Sequence, residues 1–139
     1  MTSLPPGHRL LHLERTDSTN AEALRRARAG EPGALVVWAD AQEAGRGRQG
    51  RSWVTGPECL AFSLLRRPGV PPQEAPRWTL LAGLAVLDAL SQRAPDLWLK
   101  WPNDVQRGDR KVGGILCELD GDAIVVGGGL VGAAIAFGL

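Results

Sequence analysis

Two apolar runs in the last third of the chain, residues 112–119 and 123–126, are separated only by Asp120, Gly121 and Asp122. An Asp-Gly pair between apolar runs is a strong signal for a tight hairpin turn, because glycine readily adopts the positive φ that such a turn needs. The two runs are therefore predicted to pair as antiparallel strands. This pairing disfavours a regular β-α-β array, in which all strands are parallel.

Two helices and four more strands are predicted around this hairpin. Thr19 and Glu22 have the spacing of a capping box with Thr19 as N-cap, which predicts a helix that stops at Gly30. A second helix is predicted over residues 77–92, with Pro76 in its first turn. Its core face would be formed by Leu80, Leu81, Leu84, Leu87 and Leu90. The further strands are residues 10–13, 34–39, 60–65 and 97–101. Six strands and two helices in mixed order predict an α+β fold, with a mixed, largely antiparallel sheet packed with helices.

The composition is that of one globular domain, predicted over residues 1–139. A formal net charge of +1 gives no general attraction to nucleic acid or to anionic membranes. No secretory signal is recognised, and glycines interrupt the longest apolar stretch, residues 124–139, which is interpreted as a buried strand followed by irregular chain. Cys59 and Cys117 match no metal-ligand spacing, so reduced thiols and a cytoplasmic location are expected.

Residues 40–56 show neither helical nor strand periodicity, and loops of this length in a compact domain are usually functional. The loop contains Gly45-Arg46-Gly47-Arg48-Gln49-Gly50-Arg51-Ser52-Trp53. The glycines let the backbone approach a ligand closely, the arginines suit phosphate or carboxylate groups, and the tryptophan offers a flat face. The glycine spacing matches a dinucleotide fingerprint, but no helix pattern follows it. From these residues alone, a ligand-binding loop and a solvated loop both stay open.

Only two of the sixteen basic residues are lysines, Lys100 and Lys111. Lys100 begins the segment Lys-Trp-Pro-Asn-Asp, in which the proline ends a strand and presents Asn103 and Asp104 in a turn. Alternation puts Trp98 and Lys100 on one face of that strand, so Lys100 either reaches solvent or belongs to a site. Lys111 precedes two glycines and an apolar strand, a pattern that by itself favours an ordinary surface lysine.

In this order the segments resemble the catalytic domain of biotin protein ligases, which attach biotin to a lysine of carboxylase carrier domains. The resemblance covers about residues 17–129 and includes Asp17-Ser18-Thr19-Asn20 and residues 42–53, 100–104 and 111–118. It implies a fold similar to the biotin/lipoate ligase catalytic domain, which is of the class II synthetase type. It also implies that biotin is activated with ATP to biotinoyl-5′-AMP and then transferred to the carrier lysine.

The resemblance implies a role for many residues of these motifs. Biotin would contact Ser18, Thr19, Gln42, Gly45, Arg46, Gly114 and Gly127, with Lys100 against its carboxylate. ATP would contact Arg48, Gly50, Arg51, Trp53, Asn103, Asp104, Lys111 and Gly129. The catalytic charges would come from Lys100, Arg48 and Lys111, and Asp104 is a candidate ligand for the Mg²⁺ that accompanies ATP. Ser18 and Thr19 are also explained as residues that cap the first helix.

The implied partners are biotin, ATP and the biotin carboxyl carrier protein of acetyl-CoA carboxylase, with a homodimer as a candidate assembly and no role for nucleic acid or membrane. One position departs from the family pattern, because Val131 stands where an asparagine usually contacts the nucleotide. Neither a DNA-binding helix-turn-helix before residue 17 nor a C-terminal β-barrel is expected in this sequence. A non-catalytic biotin- or adenylate-binding relic and a lipoate ligase-like acyltransferase are the alternative functions.

Overall fold

The computed structural model describes residues 4–131, which contain seven strands and two α-helices. The strands are β1 (Arg9–Thr16), β2 (Leu35–Gln42), β3 (Cys59–Arg66), β4 (Leu97–Lys100), β5 (Asp104–Arg107), β6 (Arg110–Asp120) and β7 (Ala123–Val131). The helices are α1 (Thr19–Arg28) and α2 (Ala75–Leu90), and short 3₁₀ turns lie at Arg48–Gly50 and Pro72–Glu74.

The seven strands form one sheet in the order β1-β2-β3-β7-β6-β5-β4. β1 and β2 are parallel, and every other neighbouring pair of these strands is antiparallel. The predicted hairpin is confirmed, because β6 and β7 pair outwards from Asp120 and Ala123, and Gly121 in the turn has a φ of 58°. The α+β class with a mixed, largely antiparallel sheet is likewise confirmed.

The two helices cover opposite faces of the sheet, as alternate residues of β7 show. Val125 packs in the cluster of α1, whereas Ile124 and Val126 pack in the cluster that meets α2. Gly127 and Gly129 continue the α1 face of β7 beyond Val125. Because these residues carry no side chain, the sheet has a recess beside the N-terminus of α1.

The helix α1 begins one residue earlier than the capping-box pattern predicts. Ser18 is the N-cap: its backbone is extended, and its Oγ accepts a hydrogen bond of 2.9 Å from the Ala21 N–H. Thr19 is the first helical residue, and Glu22 forms an ion pair with Arg25 at 2.6 Å instead of reaching back to a cap. The predicted capping box is therefore wrong, because two adjacent hydroxyl residues suit the N-cap equally well.

The predicted core face of α2 is also partly wrong. Leu81 and Leu84 are 56% and 58% exposed. The helix packs on the core with Trp78, Ala82, Val86 and the predicted Leu87 and Leu90. It comes closest to the sheet at Gly83, where a Cβ would lie 2.9 Å from a methyl group of Leu99. This close approach turns the two leucines away from the sheet.

The remaining strand predictions hold approximately, with one omission. β5 was not predicted, because it is only four residues long and Asp104 was assigned to a turn. Trp101 lies after β4 and is 71% exposed. The buried strand expected from residue 124 is confirmed as part of β7, whereas residues 132–139 lie outside the described part. Cys59 and Cys117 are both unpaired thiols. Neither described helix is long and apolar enough to cross a membrane.

Candidate active site

A cavity of about 300 Å³ opens in the recess on the α1 face of the sheet. It lies between the N-terminus of α1, the loop of residues 46–53 and the glycines of β6 and β7. Most of the residues singled out in the sequence line it: Ser18, Thr19, Gln42, Arg46, Arg48, Arg51, Trp53, Asn103, Asp104, Lys111, Gly114, Gly127 and Gly129. The structure thus brings together segments that are far apart in the sequence, while Gly45, Gly50 and Lys100 are not among the lining residues.

The floor of the cavity requires glycine at two positions. A Cβ on Gly127 would lie 1.9 Å from Asn20 Oδ1, and a Cβ on Gly129 would lie 2.4 Å from Trp53 Nε1. Real Cβ atoms do not approach other heavy atoms so closely. Each of these glycines therefore makes room for a particular side chain above the sheet.

Gly45 and Gly50 shape the loop that covers the cavity. A Cβ on Gly45 would lie 2.3 Å from the carbonyl oxygen of Trp53, whose N–H donates to the Gly45 carbonyl at 2.8 Å. Gln49 and Gly50 have φ values of 58° and 74°, so two successive left-handed residues reverse the chain between Arg48 and Arg51. The loop therefore folds back on itself, and its two arms run side by side.

The lining of the cavity is strongly basic. Four cationic side chains line it, and Asp104 is the single carboxylate among the described lining residues. The cations are Arg46, Arg48, Arg51 and Lys111. Such an excess of positive charge in a partly enclosed site favours an anionic ligand. In the described part of the chain, no group of three or more His, Cys, Asp or Glu residues is arranged to hold a metal ion.

Lys111 reaches the cavity because β6 contains a bulge. In the pairing of β5 with β6, Val105 is opposite Gly113 but Gln106 is opposite Lys111. One extra residue of β6, Val112, therefore lies between the two pairs. Lys111 and Gly114 consequently share the cavity face: a Cβ on Gly114 would be 3.6 Å from Lys111 Nζ. The ammonium group pairs with Asp104 at 3.0 Å and lies 5.2 Å from the centre of the Trp53 ring.

Lys100 is placed differently. Alternation along β4 is as predicted, with Trp98 and Lys100 both exposed on one face. Through the pairs Lys100–Asp104 and Asp104–Gly114, Lys100 lies on the cavity face of the sheet but two strands beyond Gly114. At the usual strand spacing its backbone is about 10 Å from that glycine.

Hydrogen bonds hold the N-terminus of α1 in a fixed position at the cavity. Gln42 Oε1 accepts from the Thr19 N–H at 2.8 Å, and Gln42 Nε2 donates to Thr55 Oγ1 at 3.0 Å. Arg25 donates to both carboxylate oxygens of Asp17 at 2.9 Å, and these hydrogen bonds hold the pKa of Asp17 well below its usual range. Asp17 in turn accepts from the Ser18 N–H at 2.7 Å. The turn that carries Ser18 and Thr19 is therefore rigidly supported.

Three functional candidates received no role from the sequence: Asn20 and Glu118, which stand in the quoted motifs, and Ser63, which does not. Asn20 lines the cavity, and its Nδ2 donates a hydrogen bond of 3.0 Å to Glu118 Oε1. The same carboxylate oxygen also accepts a hydrogen bond of 2.7 Å from Arg46. Ser63 is fully buried on β3, within hydrogen-bond distance of Thr19 and Asn20. A single polar residue inside an apolar strand is the signal that could have identified Ser63 and Glu118.

The chain is similar to known proteins in sequence and in fold. The model of the biotin/lipoate A/B protein ligase family matches residues 12–134. A biotin–[acetyl-CoA-carboxylase] ligase of Paracoccus denitrificans is 43% identical over 91% of this chain and 52% of its own length. The chain therefore spans about half the length of this curated relative.

Two solved structures are also similar. One is a biotin protein ligase of Aquifex aeolicus in complex with biotin and ATP, at a TM-score of 0.76 and 36% identity over 87% of this chain and 51% of that chain. The other is a biotin protein ligase of Leishmania major in complex with biotinyl-5-AMP, at a TM-score of 0.74 and 30% identity over 91% of this chain and 57% of that chain. On the extent of the family match, this chain belongs to the biotin/lipoate A/B protein ligase family.

Proposed function

We propose that this chain carries the biotin-activating site of a biotin protein ligase. In the first step, the carboxylate oxygen of biotin forms a bond to the α-phosphorus of ATP, and pyrophosphate leaves. In the second step, a lysine amine of the biotin carboxyl carrier protein of acetyl-CoA carboxylase attacks the acyl carbon of biotinoyl-5′-AMP, and AMP leaves. The observation that best supports this proposal is that one cavity is lined both by polar groups at the N-terminus of α1 and by four cationic side chains.

The cations are needed because the first step brings two anions together. Two unit negative charges about 4 Å apart repel by roughly 4 kcal/mol at an effective dielectric constant near 20. Fixed positive groups offset this repulsion and stabilise the charge that develops on the phosphoryl oxygens. Arg48, Arg51 and Lys111 are suitably placed on the loop and on β6 to do so.

We assign the position between carboxylate and phosphate to two lysines, with Lys100 against the carboxylate of biotin and Lys111 at the phosphates. The Lys111 ammonium group is held inside the cavity by Asp104 and Trp53, and Lys100 lies on the cavity face of the sheet, where its backbone pairs with Asp104. The neutral, polar end of biotin then faces Ser18, Thr19, Gln42 and Arg46. Trp53 is a candidate to contact the nucleotide, since its buried Nε1 has no hydrogen-bond partner among the described residues.

The proposal includes Mg²⁺ as part of the ATP substrate. Mg²⁺ bound to a nucleotide usually takes only one or two protein carboxylates, with phosphates and water as its other ligands, and Asp104 fits that requirement. A homodimer and a cytoplasmic location complete the proposal. The two unpaired cysteines agree with a reducing compartment.

Formation of labelled biotinoyl-5′-AMP from biotin and ATP, with pyrophosphatase present, tests the proposed activity. Lys111→Met should lower the rate at least about a hundredfold, the cost of removing one preorganised charge-stabilising group. Lys100→Met should lower it by at least about the same factor. An unchanged rate in either variant would contradict its assigned role. Binding of biotin without adenylate formation would favour a non-catalytic relic, and competition by lipoate would favour the acyltransferase.

A further inference from the structure

Ser63 lies in the middle of β3, fully buried between the sheet and α1. Its Oγ is 2.7 Å from Thr19 Oγ1 and 2.5 Å from Asn20 Oδ1. A hydroxyl group has one proton, so Ser63 can donate to only one of these two atoms. The other atom must donate to Ser63.

The carboxamide of Asn20 decides which of them donates. Its Nδ2 donates to the Leu116 carbonyl at 3.2 Å and to the Glu118 carboxylate at 3.0 Å, and both of those groups only accept. The oxygen Oδ1 must therefore face Ser63 and accept its proton. Thr19 is then left to donate its own hydroxyl proton to Ser63 Oγ.

The order of these protons fixes what Thr19 can offer to a ligand. Thr19 lines the cavity and is only 3% exposed. Its hydroxyl proton is used by Ser63, and its backbone N–H is used by Gln42 Oε1 at 2.8 Å. Thr19 Oγ1 can therefore act towards a ligand only as an acceptor. Ser18 is the opposite case, because its Oγ already accepts from Ala21 and keeps a proton to donate.

We propose that Ser63 is a positioning residue for ligand selection: by holding Thr19 as an acceptor, it makes the inner end of the cavity select a ligand that has an N–H group there. A cyclic urea meets this requirement, since its carbonyl accepts and its two nitrogens donate. An acyl group without an N–H does not. The inference rests on the proposed function, and it adds that discrimination depends on a residue that does not touch the ligand.

The test compares biotin with two carbamate isosteres, in each of which one ureido N–H is replaced by a ring oxygen. Calorimetry gives the dissociation constant of each ligand. In the wild-type protein, at least one carbamate should bind about a hundredfold more weakly, because two acceptors then face each other. In Ser63→Ala, Thr19 can turn its hydroxyl proton towards the ring oxygen of that carbamate. The ratio of the dissociation constant of the carbamate to that of biotin should therefore fall at least about tenfold. Ser91→Ala, which alters an exposed serine, is the control and should leave the ratio unchanged.

The ratio separates a specific role of Ser63 from a merely structural one. A loosened core would weaken all three ligands alike, and an unchanged ratio would overturn the inference. If Ser63→Ala does not fold, Ser63→Cys keeps nearly the size of the side chain but is a weaker acceptor for the Thr19 proton, so the ratio should still fall. In a Thr19→Val background, either substitution at Ser63 should leave the ratio unchanged. If the wild-type protein binds biotin but the Ser63 variants leave the ratio unaltered, this inference alone is refuted. If the wild-type protein does not bind biotin, the proposed function is refuted as well.

Discussion

Replacing Gly127 with alanine should be among the most destabilising small changes in this fold. The new Cβ would lie 1.9 Å from Oδ1, 2.6 Å from Cγ and 2.9 Å from Nδ2 of Asn20. To restore a separation of 3.0 Å from Oδ1, the carboxamide must move by about 1.1 Å, the difference between 3.0 and 1.9 Å. β7 pairs with β3 and β6 on both sides, so Asn20 has to move and the strand does not.

That movement breaks the hydrogen bonds of the carboxamide. They measure 2.5 Å to Ser63, 3.0 Å to Glu118 and 3.2 Å to the Leu116 carbonyl. Leaving a buried polar group without its partner costs about 1–3 kcal/mol, and overpacking a core costs a similar amount. We therefore expect Gly127→Ala to lower the free energy of unfolding by about 3–5 kcal/mol, which is a large share of the 5–15 kcal/mol typical of a domain.

Urea unfolding followed by tryptophan fluorescence measures this loss. Gly56→Ala is the matched control, because nothing lies within 4 Å of its Cβ position and its φ is not in the left-handed region. It should change the free energy of unfolding by less than about 1 kcal/mol. In an Asn20→Ala background the clash is gone, so Gly127→Ala should then cost less than about 1 kcal/mol. A cost that is the same in both backgrounds, or as small as that of the control, would refute the reasoning.

Two further predictions concern stability. Arg67 donates to two backbone carbonyls at the end of α1, at 2.8 and 2.9 Å, so Arg67→Met should lower the free energy of unfolding in urea by about 2 kcal/mol. Arg25 lowers the pKa of Asp17, so their pair contributes stability above the unfolded-state pKa of about 4 and loses it as the pH falls further. The stability difference between wild type and Arg25→Met should therefore be small, since both side chains are nearly half exposed, and should shrink between pH 6 and pH 3. A difference that grows on acidification would contradict this sign.

Local signals in the sequence were enough for the elements that depend on local geometry. The β6–β7 hairpin follows from the Asp-Gly turn, and α2 follows from its proline start and apolar content. β5 could not be found in this way, because its four residues owe their conformation to pairing with β4 and β6. The outward position of Leu81 also depends on a distant residue, Leu99, against which the helix packs through Gly83.

The candidate site shows the same division between local and long-range information. The glycine-arginine loop was recognisable because the spacing of its residues is itself unusual. The hydrogen-bonded set of Ser63, Asn20 and Glu118 was not, since these residues come from β3, α1 and β6 and meet only in the folded chain. Ser63 and Glu118 each stand within apolar strands, where an unpaired polar group is costly. Because of that cost, the sequence indicates that Ser63 and Glu118 have hydrogen-bond partners, but it does not identify those partners.

The two lysines show how one extra residue in a strand decides which face of the sheet a side chain reaches. Strict alternation along β6 would place Lys111 with Gly113 and Ile115, on the face that packs against α2. The bulge at Val112 reverses this, so Lys111 turns to the cavity and pairs with Asp104. Lys100 has no such irregularity in β4, and its position follows from simple alternation at the edge of the sheet. The pattern around Lys111 favours an ordinary surface lysine, whereas the bulge turns this residue to the cavity, because a bulge arises from strand pairing and leaves little trace in the sequence.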